Sequence, residues 1–129
     1  MKPVDQPTPK SCFQAAVASV LELSISEVPD FCAPGFNGRD WWGGFLSWSR
    51  GKGLLPVEFR LRDSQPCFAE LPDGLFCILS GKSPRGVNHS VVAKTRMNTF
   101  EIVHDPHLSR EGLSGYPTDV LFFVRERGY

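Results

Sequence analysis

The chain has 129 residues, 41% of them apolar, which supports one buried core and not two. Fourteen basic and fourteen acidic residues cancel, and no Lys/Arg run builds the positive field that nucleic acid or anionic lipid demands, so neither partner is expected. No stretch approaches the roughly 20 apolar residues of a membrane span, and the opening MKPVDQPTPK has no apolar signal core. The expectation is a single cytoplasmic domain over residues 1–129, with Cys12, Cys32, Cys67 and Cys77 as reduced thiols.

Pro3, Pro7 and Pro9 deny helix and sheet hydrogen bonds and predict an extended lead-in. Ser11 and Gln14 then match a Ser-x-x-Gln capping box. Phe13, Val17, Val20 and Leu21 recur at helical spacing with alanines between them, which predicts a well-covered helix from Cys12 to about Leu23. SISEVPDF suits a short helical turn. Asp40 is placed to cap a second helix carrying Trp41, Trp42, Phe45, Leu46 and Trp48, which ends at Gly51 and Gly53. Its tryptophans read as a face packed on a sheet. Beyond Gly53 the period becomes two: LLPVEFRLR, GLFCILS, HSVVAK, TFEIVH and DVLFFVRER predict five strands. Helices first and strands after point to an α+β fold, with helices packed on a mostly antiparallel sheet.

The hairpin HSVVAKTRMNTFEIVHD carries chemistry. Asn98 accepts a left-handed conformation readily, which predicts a three-residue loop on Arg96, Met97 and Asn98. Centring on Met97 then opposes Val91 to Val103 and Val92 to Ile102, and sets His89 against Asp105, within reach of an imidazole–carboxylate bond. Cys12, at the first position of a helix with Lys10 just before it, feels unsatisfied amide donors and a positive helix end, both of which favour thiolate. A thiolate needs a base, and the base needs an orienting group; His89 and Asp105 are candidates for the two roles. The Gln6 side-chain amide, ahead of the helix, is the candidate donor to an oxyanion, together with the Cys12 backbone amide.

In four features the sequence resembles the papain-like cysteine peptidases, and most closely the group containing the domains that cleave double-glycine leader peptides from bacteriocins. A Gln precedes the Cys in QPTPKSC, the Cys begins the Ala-rich CFQAAVASVLEL, a His opens a strand in NHSVVAK, and Asp-Pro closes the next strand in VHDP. The resemblance spans Gln6 to Pro106 and implies a papain-like core. In it Cys12 is the nucleophile, His89 the general base and acid, Asp105 its orienter and Gln6 part of the oxyanion hole. It departs at Phe13 and Asn88, where members of that group often carry glycine.

The activity expected is that of a cysteine hydrolase, a peptidase or isopeptidase acting on a peptide or protein through a Cys12 thioester. Acyl transfer and side-chain deamidation begin with the same attack on a carbonyl, and a binding module or inhibitor with an inert Cys12 is the non-enzymatic alternative. No cofactor is expected. His104 and His107 in HDPH lack the paired ligands of a structural zinc site, and there is no Cys-x-x-Cys, so no metal is expected either.

Overall fold

The computed structural model describes residues 1–31, 41–61 and 70–126. Asp40, Cys32, Cys67 and the glycines at 35 and 38 lie outside the described residues. Helix α1 covers Cys12–Leu21 and α2 Trp41–Gly51, with a 3-10 turn at Ile25–Glu27 between them. Strands β1 (Leu54–Arg60), β2 (Phe76–Lys82), β3 (Asn88–Arg96), β4 (Thr99–His104) and β5 (Asp119–Arg125) follow. All strand pairs are antiparallel, and the order across the sheet is β1-β5-β2-β3-β4. The α+β expectation holds: two helices pack on a five-stranded antiparallel sheet. Among the described residues, no helix is long and apolar enough to cross a membrane.

Alternation along the strands divides the apolar side chains between two faces. Ile78, Val92 and Leu121 meet Ala16, Val17 and Ala18 of α1 and Phe45 of α2. On the other face Cys77, Leu79, Val91, Ala93 and Val120 cluster with Leu61, and Leu113 helps to cover them. Phe45 is fully buried, with the rings of Phe13 at 5.1 Å, Phe31 at 5.2 Å, Trp42 at 5.6 Å and Phe123 at 5.9 Å. Burying such a side chain contributes about 2 to 3 kcal/mol. That outweighs the roughly 1 kcal/mol which each of Gly43 and Gly44 costs the helix, and the tryptophans of α2 belong to this packed face.

Both ends of α1 depart from the expected pattern. The Ser11 hydroxyl does not cap α1; it accepts from the Thr8 amide at 3.0 Å and donates to the Thr8 carbonyl at 2.9 Å. Gln14 instead donates to the carbonyls of Ile25 (3.2 Å) and Val28 (2.7 Å), tying α1 to the turn after it. The reciprocal arrangement expected at Ser11 occurs at Ser24, whose backbone amide donates to the Glu27 carboxylate at 2.8 Å. α1 stops at Leu21, before Leu23, because Glu22 is left-handed at φ 58 and the Leu23 amide turns back to the Ala18 carbonyl at 2.9 Å.

The β3–β4 hairpin corrects the expected register. Its loop has two residues: Met97 and Asn98 both have positive φ (50 and 58), the signature of a type I′ turn. Arg96 therefore pairs with Thr99, Thr95 with Phe100 and Ala93 with Ile102. A bulge follows, and Val92 pairs with His104, leaving Val103 as the extra residue. One extra residue exchanges the faces of everything beyond it. Without the bulge, Asp105 would share a face with Ser90; with it, Asp105 shares the face of His89 and Val91.

Candidate functional site

The N-terminus of α1 meets the start of β3 through Cys12, which is partly exposed. Burial opposes ionisation of its thiol, but hydrogen bonds from His89 and from the Ser90 and Phe13 backbone amides, with the charge of His89, hold it below its ordinary value. The Ser11 hydroxyl is engaged with Thr8, so it does not compete for amides in the first turn of α1. That turn contains no acidic side chain to oppose an anion.

His89 and Asp105 are each 4% exposed, and Nε2 of the imidazole lies 2.6 Å from the Asp105 Oδ1. With Nε2 so engaged, Nδ1 is the ring nitrogen left for the Cys12 sulfur. Burial disfavours the imidazolium, yet the hydrogen bonds and charges of Cys12 and Asp105 overcome it and raise the His89 pKa. Asp105 shows the converse. Burial would raise it, but His89, the His107 amide (2.9 Å to Oδ1) and the Gly112 amide (2.7 Å to Oδ2) hold it below the usual carboxylate range. β4 ends at His104, so the carboxylate reaches His89 from the following turn and not as a directly opposed strand pair.

Gln6 joins this group through its backbone, its amide donating to the carbonyl of Pro106 at 2.9 Å. Its side-chain amide donates to the Thr8 carbonyl at 2.9 Å, which occupies one of its two protons. Its Oε1 is buried without a hydrogen-bond partner among the described residues. Thus Cys12 is placed beside His89, His89 is hydrogen-bonded to Asp105, and Gln6 is fastened to the residue after the carboxylate.

Cys77 is an internal contrast. It is fully buried, its thiol lies 3.7 Å from the Ala93 carbonyl, and burial alone pushes its pKa up to about 12. The same side chain is driven in opposite directions at two places in one small fold. His104 and His107 face different partners: His104 Nε2 donates to the Val4 carbonyl at 2.9 Å, while His107 Nδ1 lies 2.8 Å from the Ser109 hydroxyl.

Sequence reasoning passed over the groups that hold Asp105. The His107 ring also packs edge-on to that of His89, 6.2 Å between centroids. Gly112 sits at φ 71, a conformation only glycine adopts readily, and this brings its amide to the carboxylate. That glycine, seven residues past the Asp in HDPHLSREG, was the available signal. An open cavity lined by residues of Val20–Leu23, Lys52–Leu54, Arg125 and Glu126 lies at the other end of α1.

No protein-family model, no curated protein and no solved structure matches the chain.

Proposed function

We propose that the chain is a papain-like cysteine hydrolase, a peptidase or isopeptidase acting on a peptide or protein. The observation that carries the proposal is the buried His89–Asp105 hydrogen bond of 2.6 Å set beside Cys12, where the thiol is lowered and the imidazole raised. Those opposite shifts favour a thiolate–imidazolium pair at the head of α1.

The Cys12 thiolate attacks the carbonyl carbon of the scissile amide, forming a C–S bond and placing negative charge on the carbonyl oxygen. The Cys12 backbone amide and the Gln6 side chain are the proposed donors to that oxygen. Collapse of the intermediate breaks the C–N bond, and His89 gives its proton to the leaving amine. Neutral His89 then takes a proton from water, the hydroxide displaces sulfur from the thioester, and the carboxylic product leaves. Asp105 fixes the imidazole tautomer and stabilises its cation without accepting the proton. α1 lying on β2 and β3 supports the resemblance to papain-like cores, because it sets the first helical residue beside the first residues of β3.

The test is the rate of iodoacetamide alkylation at Cys12 against pH. The wild type should react well below the ordinary thiol value of about 8.5, and His89→Ala should lose that low-pH reactivity. A wild-type profile centred near that ordinary value would favour the binding-module alternative.

A further inference from the structure

Residues Val4 to Gln6 run alongside the turn that carries Asp105 and are fastened to it and to the end of β4 four times, one contact being His104 Nε2 to the Asp5 Oδ1 at 3.4 Å. His104 Nε2 donates to the Val4 carbonyl at 2.9 Å, Arg110 Nη1 lies 2.7 Å from the Asp5 carboxylate, and the Gln6 amide donates to the Pro106 carbonyl at 2.9 Å. The same Arg110 nitrogen also donates to the Asp105 backbone carbonyl. One guanidinium therefore joins the main chain of the buried carboxylate to the segment bearing the candidate oxyanion donor.

Arg110 has a positive φ of 55, a conformation that costs a residue with a Cβ conformational energy. Its side chain is 46% exposed and that of Asp5 45% exposed, so the pair contributes little to stability. A strained backbone supporting an ion pair of small energetic worth points away from stability as its purpose. Asp5 is lowered chiefly by its hydrogen bond to Arg110, with the charges of Arg110 and His104 adding to it.

We infer that Arg110, fastened by Asp5, is a positioning residue that holds Asp105 beneath His89 and keeps the Gln6 segment in register with it. The inference rests on the hydrolase reading. Arg110 touches neither the thiol nor the imidazole and acts through the turn from Asp105 to Gly112, whose His107 and Gly112 amides point at the carboxylate. A looser turn leaves the His89 cation less stabilised, and the Cys12 thiolate with it.

Two variants test this. Arg110→Gly removes the guanidinium and the backbone strain together; Asp5→Asn keeps both and removes the charge that faces Arg110 and, at 3.4 Å, His104. In both, the acidic limb of the Cys12 alkylation profile should move up by about one pH unit, about tenfold in rate at a fixed pH on that limb. Amide hydrogen exchange at His107 and Gly112 should accelerate by a similar factor. Arg110→Lys, which keeps the charge, should recover part of both effects. Unchanged thermal midpoints in these variants would separate positioning from support of the fold. An acidic limb that stays in place in both variants overturns the inference, and Asp5→Asn decides alone if Arg110→Gly does not fold. If the wild type has no acidic limb, the hydrolase reading falls and exchange decides: faster exchange retains the clamp, unchanged exchange removes it.

Discussion

Asp105 reaches His89 across 2.6 Å only because Val103 is an extra residue in β4. The carboxylate also accepts the His107 and Gly112 amides, so three donors converge on a side chain that is 3% exposed. Removing it leaves those donors unmatched. Asp105→Ala should cost about 3 to 5 kcal/mol in urea unfolding, and Asp105→Asn, which keeps the shape, about 1 to 3 kcal/mol. A loss under 0.5 kcal/mol for both would contradict the burial and bonding described.

Deletion of Val103 tests the bulge itself. Restoring an unbroken ladder after the Met97–Asn98 turn puts Asp105 on the face of Ser90 and separates it from the imidazole. The expected protein keeps its circular dichroism and loses low-pH alkylation of Cys12 as fully as Asp105→Ala. Retained reactivity would mean that the carboxylate finds His89 without the bulge.

The pH dependence of stability has a definite sign. Asp105 is lowered in the folded chain, so its contribution is complete above the unfolded value of about 3.9 and is lost as pH falls through the folded one. His89 is raised, so its contribution is complete below about 6.5 and is lost as pH climbs through its folded value. Cys12 is lowered and acts in the opposite sense to His89, so the two partly cancel near neutrality. Urea midpoints should therefore decline below about pH 4, with the decline reduced in Asp105→Asn. Exposed Asp5, Glu22 and Glu27 add weakly to the same limb.

Met97 is 80% exposed and left-handed, an arrangement that costs a non-glycine residue about 1 to 2 kcal/mol. Met97→Gly should recover about 1 kcal/mol and raise the thermal midpoint by a few degrees, since the hydrogen bond from its backbone amide to the Asp73 carboxylate (2.9 Å) survives the change. A lower midpoint would argue against the two-residue turn.

The alanine-rich run after Cys12 and the period-two runs after Gly53 made both layers of the fold legible, because burial imposes its periodicity directly on those residues. The face shared by His89 and Asp105 was legible for a subtler reason. A three-residue loop and a two-residue loop followed by a bulge differ by an even offset, so both place residues 89 and 105 on one side. The exact pairing was hidden, since nothing in EIVHD distinguishes Val103 as the extra residue. Met97 and Arg110 are left-handed without a glycine or asparagine to announce it. Ser11 and Gln14 matched a capping pattern whose side chains tertiary contacts drew elsewhere, to Thr8 and to Ile25 and Val28. His107 acts through its backbone amide, a role side-chain identity does not encode, and Gly112 is signalled only by being a glycine.

Spectroscopic titration of Cys12 gives the most direct measurement of the ion pair proposed at the head of α1. The difference in ultraviolet absorbance between the native wild type and Cys12→Ser isolates one sulfur, while Cys77 stays protonated behind its burial. This difference is expected to be present already in mildly acidic solution and to vanish in a His89→Ala background. A difference that emerges only near or above pH 8.5 would show an ordinary thiol at residue 12 and contradict the proposed ion pair.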